Sequence, residues 1–278
     1  LTIKFDFHCH SHFSDGQLSP QALIEYATER EIQLLALTDH DTISGLEEVS
    51  RFIGEQDLPI KLINGVEISA LSEFGEVHIV GLAIDPRHSE LCCALSEQQQ
   101  KRWQRAENID EKLQKLGVNG VLDWCKIHVK QVVTRSHMAK ALVDLGYAKD
   151  LQQAFKKYIG KKGKVKVPKD WMSLPQAIEL IGKAGGVSVL AHPTRYPLSN
   201  RKLSLLIESF KQAGGDAIEM AYPSLNADKI AWLKIQRENH NLLASSGSDF
   251  HYPNLKWTDL GRFPHLDAGI PHVRSRLN

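Results

Sequence analysis

Apolar and polar positions follow two rhythms along this chain. Phe5-Asp6-Phe7-His8-Cys9-His10 has a period of two, so an extended strand would put Phe5, Phe7 and Cys9 on one face and Asp6, His8 and His10 on the other. Leu18, Ala22, Leu23, Tyr26 and Ala27 recur at helical spacing, and Ser19-Pro20 supplies an N-cap followed by proline at the first helical position. A helix is therefore predicted over 18–31. The short apolar run 32–38 fits a buried parallel strand. A second helix over 44–54 follows, then strands over 60–68 and 76–84. From 90 to about 175 the texture is helical and strand-like runs nearly vanish, with Gly117 and Gly146 placed as C-caps. Strand and helix then alternate again: helix 174–183, strand 186–191, helix 203–213, strand 217–220, helix 226–239, strand 242–246. About seven strands alternating with helices predict an α/β fold with a parallel barrel or near-barrel, not an open sheet. The barrel is expected from 1–96 and 171–278, interrupted by a helical insertion over 97–170.

Composition adds a charge asymmetry that the patterning does not show. The 278 residues carry a net charge of only +1. Residues 97–170 hold 17 Lys/Arg against 8 Asp/Glu, and the remainder holds 17 against 25, so an acidic body adjoins a basic segment. That arrangement suits a polyanionic substrate held between the two, against the plainer reading of solvated helix faces. Four cysteines (Cys9, Cys92, Cys93, Cys125) have no CxxC spacing, which fits a reducing compartment, and the expected location is the cytoplasm. No stretch approaches the ~20 apolar residues of a spanning helix.

The chemistry lies at strand ends. His8, His10, Asp15, His40, Glu67, His78, His192, Asp249 and His251 nearly all fall there, which is where barrel folds collect functional groups. Imidazole and carboxylate are ligands that Zn²⁺, Mn²⁺ and Fe²⁺ accept. Asp6 is expected to orient a ligand imidazole by accepting its second N–H. Asp41 would do the same or cap the following helix.

Asp6-Phe7-His8-Cys9-His10-Ser11, Ser14-Asp15-Gly16, Thr38-Asp39-His40-Asp41, Gly65-Val66-Glu67, His78, Ala191-His192-Pro193 and Ser248-Asp249-Phe250-His251 together resemble the polymerase-and-histidinol-phosphatase (PHP) family of metal-dependent phosphoesterases. The resemblance implies a distorted (β/α)₇ barrel with three divalent ions, Mn²⁺ foremost and Fe²⁺ or Zn²⁺ as alternatives. Carried over by residue, His8, His10, Glu67 and Asp249 would hold the first ion. Glu67 would bridge to the second, completed by His78 and His192. Asp15, His40 and His251 would hold the third. Attack is then assigned to metal-activated water, since no nucleophile elbow or reactive cysteine stands out.

The helical insertion resembles, more narrowly, a bacterial branch of nucleoside 3′,5′-bisphosphate phosphatases and 5′→3′ exoribonucleases. That likeness implies hydrolysis at the 5′ end of a nucleotide or short single-stranded RNA. Arg135, at a predicted helix start, suits a phosphate bidentately. His137 and Arg195 are further substrate-binding candidates, and the expected catalytic set is Asp6, Glu67, Arg135 and His137. His265 could reach the site from a late loop. Trp103, Trp124, Tyr158 and Trp171 could stack bases or fill the helical core. The competing readings are a small-molecule phosphatase such as a histidinol phosphatase, an amidohydrolase, and a metal-containing nucleic-acid-binding module without catalysis. No membrane association or obligate protein partner is expected.

Overall fold

The computed structural model describes residues 3–254 and 256–277. The chain opens with β1 (Phe5–Cys9), α1 (Pro20–Glu29), β2 (Leu34–Leu37), α2 (Ser44–Glu55), β3 (Lys61–Ser72) and β4 (Gly75–Leu82). A helical stretch follows: α3 (Ser89–Gln114), α4 (Val121–His128), α5 (Arg135–Asp144) and α6 (Leu151–Ala154). The alternation resumes with β5 (Met172–Ser173), α7 (Leu174–Lys183), β6 (Val187–Leu190), α8 (Asn200–Gln212), β7 (Ala217–Ala221), α9 (Ala227–Asn239) and β8 (Leu243–Ser246).

The strands order β1-β2-β3-β4-β6-β7-β8, with the short β5 paired to the outer part of β3. No ladder joins β1 to β8 among the described residues. Just beyond their C-terminal ends, however, the His10 N–H donates to Phe250 O (2.9 Å) and the Asp249 N–H to His8 O (2.8 Å). The two edges therefore meet where the site lies, as in a distorted barrel.

An all-parallel barrel is not what forms. β4 runs antiparallel to both β3 and β6. Parallel neighbours need a crossover of a dozen or more residues, and only Glu73 and Phe74 separate β3 from β4. The reversal places the start of β4, with Glu76 and His78, at the mouth. Strict alternation also fails in β1. The β1–β2 register shifts between Asp6 and Cys9, so Cys9 packs with the α1 and α2 side chains while Phe7 joins Ala36, Val80 and Val189 in a different cluster. An irregularity of this kind re-aims side chains next to active sites.

The helical stretch builds its own apolar cluster, which includes Ile109, Leu113, Met138, Leu142, Tyr158 and Val165. α3 runs unbroken through residue 97, sending Leu91 and Leu95 into the barrel-side core and Ala106, Ile109 and Leu113 into the insertion core. Asp41 anchors this crossing, and neither orients a histidine nor caps α2. Its Oδ1 accepts from the Ser69 N–H (2.9 Å) and Gln98 Nε2 (3.1 Å), and its Oδ2 from Arg102 Nε (2.6 Å). Gly117 and Gly146 adopt positive φ after α3 and α5, as C-terminal glycines do. Among the described residues, no helix is long and apolar enough to cross a membrane.

His272 closes the barrel flank between Ser246 Oγ (3.1 Å) and the ring of Phe5 (5.5 Å). Burial, with Arg274 nearby, lowers its imidazole to about 4. Its Nδ1 accepts the Arg274 N–H, so protonation there breaks a bond as well as charging the ring. A folded-state pKa below the unfolded value means the unfolded chain binds the extra proton. Stability is then full above pH ~6.5 and falls as pH drops toward 4. Denaturant titrations at pH 7.5 and 5 should show up to about 2 kcal/mol less acid loss in His272→Gln than in the unsubstituted protein; equal losses would refute the assignment.

Candidate metal centre and adjoining cavity

Glu67 sits at the centre of the mouth, fully buried, with five imidazoles around its carboxylate. His8 Nε2 and His10 Nε2 each lie 3.3 Å from Oε2, and His40 Nδ1 lies 3.0 Å from the same oxygen. His78 Nδ1 (3.0 Å) and His192 Nε2 (3.1 Å) face Oε1. Asp249 Oδ1 adds a second oxygen for His8 (3.4 Å) and His10 (3.2 Å). Asp15 Oδ1 faces His251 Nε2 (3.2 Å) and His40 Nε2 (3.7 Å). The fold thus draws all nine sequence candidates into one constellation. Its donor atoms form three groups that could each hold a cation: His8-His10-Glu67-Asp249, His40-Glu67-His78, and His10-Asp15-His40-His251. His192 approaches the oxygen of Glu67 that His78 faces, whereas His40 lies between the second and third groups.

The atoms at the centre lack ordinary partners. His8 Nε2, His10 Nε2, His40 Nδ1, Asp15 Oδ1 and Glu67 Oε2 are buried without a hydrogen bond of good geometry. Orphaned buried donors and acceptors are costly and rare; a set of nitrogen and carboxylate oxygen atoms converging like this fits divalent cations. Burial alone would push the Glu67 carboxyl up, but His40, His8 and His78 outweigh it and hold it well below the usual range. Asp249 and Asp15 are held down in the same way, by His8 and His251 and by His40 and His251 respectively. The carboxylates are therefore ready as anions.

Several supporting residues escaped the sequence reading. Glu219 Oε1 lies 2.6 Å from His8 Nδ1 and its Oε2 accepts the His192 N–H at 2.6 Å. It fixes the His8 tautomer so that Nε2 presents a lone pair to the centre, the role expected of Asp6. The signal was present: a carboxylate inside the apolar strand Ala-Ile-Glu-Met-Ala is rarely buried without a partner. Asp6 instead accepts the backbone N–H groups of His8, Ser248 and Gly261 (3.1, 2.9 and 2.7 Å). It ties β1 to the loop after β8 and touches no imidazole. Asp39 accepts from the Ser11 and Ser14 hydroxyls, both at 2.6 Å, and so shapes the loop that carries Asp15. Asp41, His192 and Asp249 adopt left-handed φ of 48°, 32° and 52°. Each costs roughly 1–3 kcal/mol and persists where the surroundings over-determine it, as at functional sites.

Beside the centre lies a cavity of about 150 Å³, bounded on the barrel side by Asp15, His40, Glu76 and His78 and on the insertion side by Arg102, Arg105, Arg135 and Trp171. Glu76 is held at about 2: burial opposes this, but His78, Lys169 and Trp171 outweigh it. Arg135 Nη2 lies 3.6 Å from the same carboxylate. Arg105 is lowered to about 10 by burial and by Arg135, and its Nε is an orphaned buried donor. Arg102 and Arg105 both lie on α3, and the fold turns them toward the cavity. His137 accepts the Thr134 N–H on Nδ1 (3.1 Å). Burial lowers its pKa, with Asp15 opposing, so the neutral ring carries its proton on Nε2. Arg195 pairs with Asp249 Oδ2 and lies over the Tyr222 ring. His265 instead lines a separate cavity with Lys4 and Phe5 at the start of β1. Of the aromatics, Tyr158 and the partly buried Trp103 and Trp124 pack in the insertion core, while Trp171 faces the cavity under the Arg102 guanidinium (4.9 Å).

The family profile described as PHP domain matches residues 6–165. Among curated relatives, the "5′-3′ exoribonuclease" of Haemophilus influenzae is 40% identical over 98% of this chain and 98% of its own. The "3′,5′-nucleoside bisphosphate phosphatase" of Chromobacterium violaceum is 39% identical over 95% of this chain and 92% of its own. Among solved structures, one described as an amidohydrolase from Chromobacterium violaceum with bound sulfate and no metal superposes with a TM-score of 0.90 at 36% identity, covering 99% of this chain and 95% of that one.

Proposed function

This chain belongs to the PHP domain family of metal-dependent phosphoesterases, and on that premise we propose that it hydrolyses the 5′-phosphoester of nucleoside 3′,5′-bisphosphates and releases 5′ mononucleotides stepwise from short RNA. The observation that carries the reading is the juxtaposition of two things: a converging set of orphaned imidazole and carboxylate atoms, and a cavity beside it walled by three arginines. The first suits the phosphorus under attack and the second suits a neighbouring phosphate. The names of the two relatives, one an exoribonuclease and one a bisphosphate phosphatase, support the same substrate class.

The expected complement is three divalent ions, with manganese the leading candidate, held by His8, His10, Glu67 and Asp249, by Glu67 with His78 and His192, and by Asp15, His40 and His251. When bound, such ions lower the pKa of water toward neutrality and polarise a phosphoryl oxygen. The chain's own groups do the rest. Glu219 holds the proton on His8 Nδ1. Arg135 and Arg105 bind the neighbouring phosphate through charge-assisted hydrogen bonds. Arg195 steadies Asp249. His137, neutral and protonated on Nε2, donates to a phosphate or leaving oxygen. The cytoplasm, where RNA fragments and nucleotides are found, is the proposed location.

Manganese-loaded protein offered adenosine 3′,5′-bisphosphate, 5′-phosphorylated RNA and histidinol phosphate in parallel tests this reading. Turnover of the first two is expected. Arg135→Ala should raise KM for the bisphosphate by about tenfold to a hundredfold, since a hydrogen bond to a charged group contributes roughly 1.5–3 kcal/mol. Turnover of histidinol phosphate alone would overturn the nucleotide assignment.

A further inference from the structure

The segment from Phe155 to Trp171 has no part in the reactions above, although both of its ends line the cavity. Residues 151–169 contain seven lysines and no aspartate or glutamate. Ordinary solvated surfaces intersperse the two signs, so the run is not explained by solubility. It is also not a loose tail. Tyr158, Ile159 and Val165 are buried in the insertion core. The backbone folds back on itself through Gly160 N–H to Phe155 O (2.7 Å), Lys164 N–H to Lys157 O (3.2 Å) and Val165 N–H to Tyr158 O (2.8 Å). A Cβ on Gly163 would lie 2.3 Å from Tyr158 O, so the turn closes only around glycine. This fixed loop holds Lys156, Lys157, Lys161, Lys162 and Lys164 exposed. The insertion's ion pairs use other lysines, Lys101, Lys140, Lys149 and Lys169; among the described residues none of the five has a carboxylate partner.

Resting on the functional reading above, we propose that this lysine loop is an exosite for the RNA backbone downstream of the scissile phosphate, and that it sets the preference for oligomers over mononucleotides without entering the chemistry. The cavity of about 150 Å³ is smaller than the ~300–1,000 Å³ that encloses a whole small ligand. A strand whose 5′ end enters it must therefore leave across the rim. Phe155 and Trp171, which line the cavity at the two ends of the segment, lead onto the unpaired lysines. Point charges of this kind bind phosphates independently of base identity and release counterions as they do so.

The test replaces Lys156, Lys157, Lys161, Lys162 and Lys164 together by glutamine. For a 5′-phosphorylated ten-nucleotide RNA, the expected result is a rise in KM of at least about tenfold at low salt, with the log–log salt dependence flattened by about 0.7 for each phosphate that is no longer neutralised. For adenosine 3′,5′-bisphosphate, kcat/KM is expected to stay within about twofold, because a mononucleotide does not reach the loop. Unchanged KM and salt slope with RNA, or equal losses on both substrates, would overturn the exosite. If the unsubstituted metal-loaded protein cleaves neither substrate, the functional reading falls and takes the exosite with it. If it cleaves both and the fivefold variant behaves identically, the exosite alone falls.

Discussion

Glu67→Gln is expected to lower turnover by at least about 10³-fold, equivalent to roughly 4 kcal/mol of transition-state stabilisation, while the barrel stays folded. The substitution keeps the shape of the side chain and removes one negative charge from a point that five imidazoles face within 3.3 Å. Glu67 belongs to two of the three cation groups, so no neighbour can replace it in both. Metal content by elemental analysis should fall together with activity. The rise in Tm on adding Mn²⁺ should shrink as well, because a ligand stabilises the native state only in proportion to its affinity for it. A Glu67→Gln protein that keeps full metal content and near-normal turnover would refute the central role given to this carboxylate.

Arg102→Ala should destabilise the protein by about 3–5 kcal/mol, the usual cost of leaving one partner of a buried ion pair uncompensated. Asp41 is completely buried and Arg102 nearly so. Their bond at 2.6 Å is extended by Arg102 Nη2 to Ser69 Oγ (2.7 Å) and by stacking of the guanidinium on Trp171. These interactions join α3 of the insertion to strand ends of the barrel, so the loss should also loosen the arginine wall of the cavity and raise KM. Denaturant unfolding measures the first effect. The double variant Arg102→Ala/Asp41→Asn should recover part of the stability, since it removes the stranded charge. A loss below about 1 kcal/mol would place the pair among interactions that contribute little.

Much of the candidate site was legible in the sequence because metal chemistry restricts residue type and the strand pattern restricts position. His8, His10, His40, Glu67, His192 and Asp249 each lie in the last residues of a predicted strand or just beyond its end, and the structure gathers them. His78 was recognised by type, but its place at the mouth depends on β4 running backwards. The predicted strands 60–68 and 76–84 leave too few residues between them for a parallel crossover, which was an available sign of a hairpin. Asp6 and Asp41 were misread because a buried carboxylate near a ligand motif looks the same whether it serves an imidazole, a backbone amide or an arginine. Their partners, Gly261 and Arg102, lie 255 and 61 residues away.

The sequence by itself determined the types and order of the candidate ligands, the strand–helix rhythm and the basic character of residues 97–170, all of which follow from local periodicity and side-chain chemistry. Tertiary structure alone decided that Glu219 orients His8, that Arg102 and Arg105 turn inward, and which oxygen of Glu67 each ring faces. Those outcomes depend on distances of about 3 Å between groups far apart in the chain, at the scale of a hydrogen bond, and only the closing of the sheet brings such groups within reach of one another.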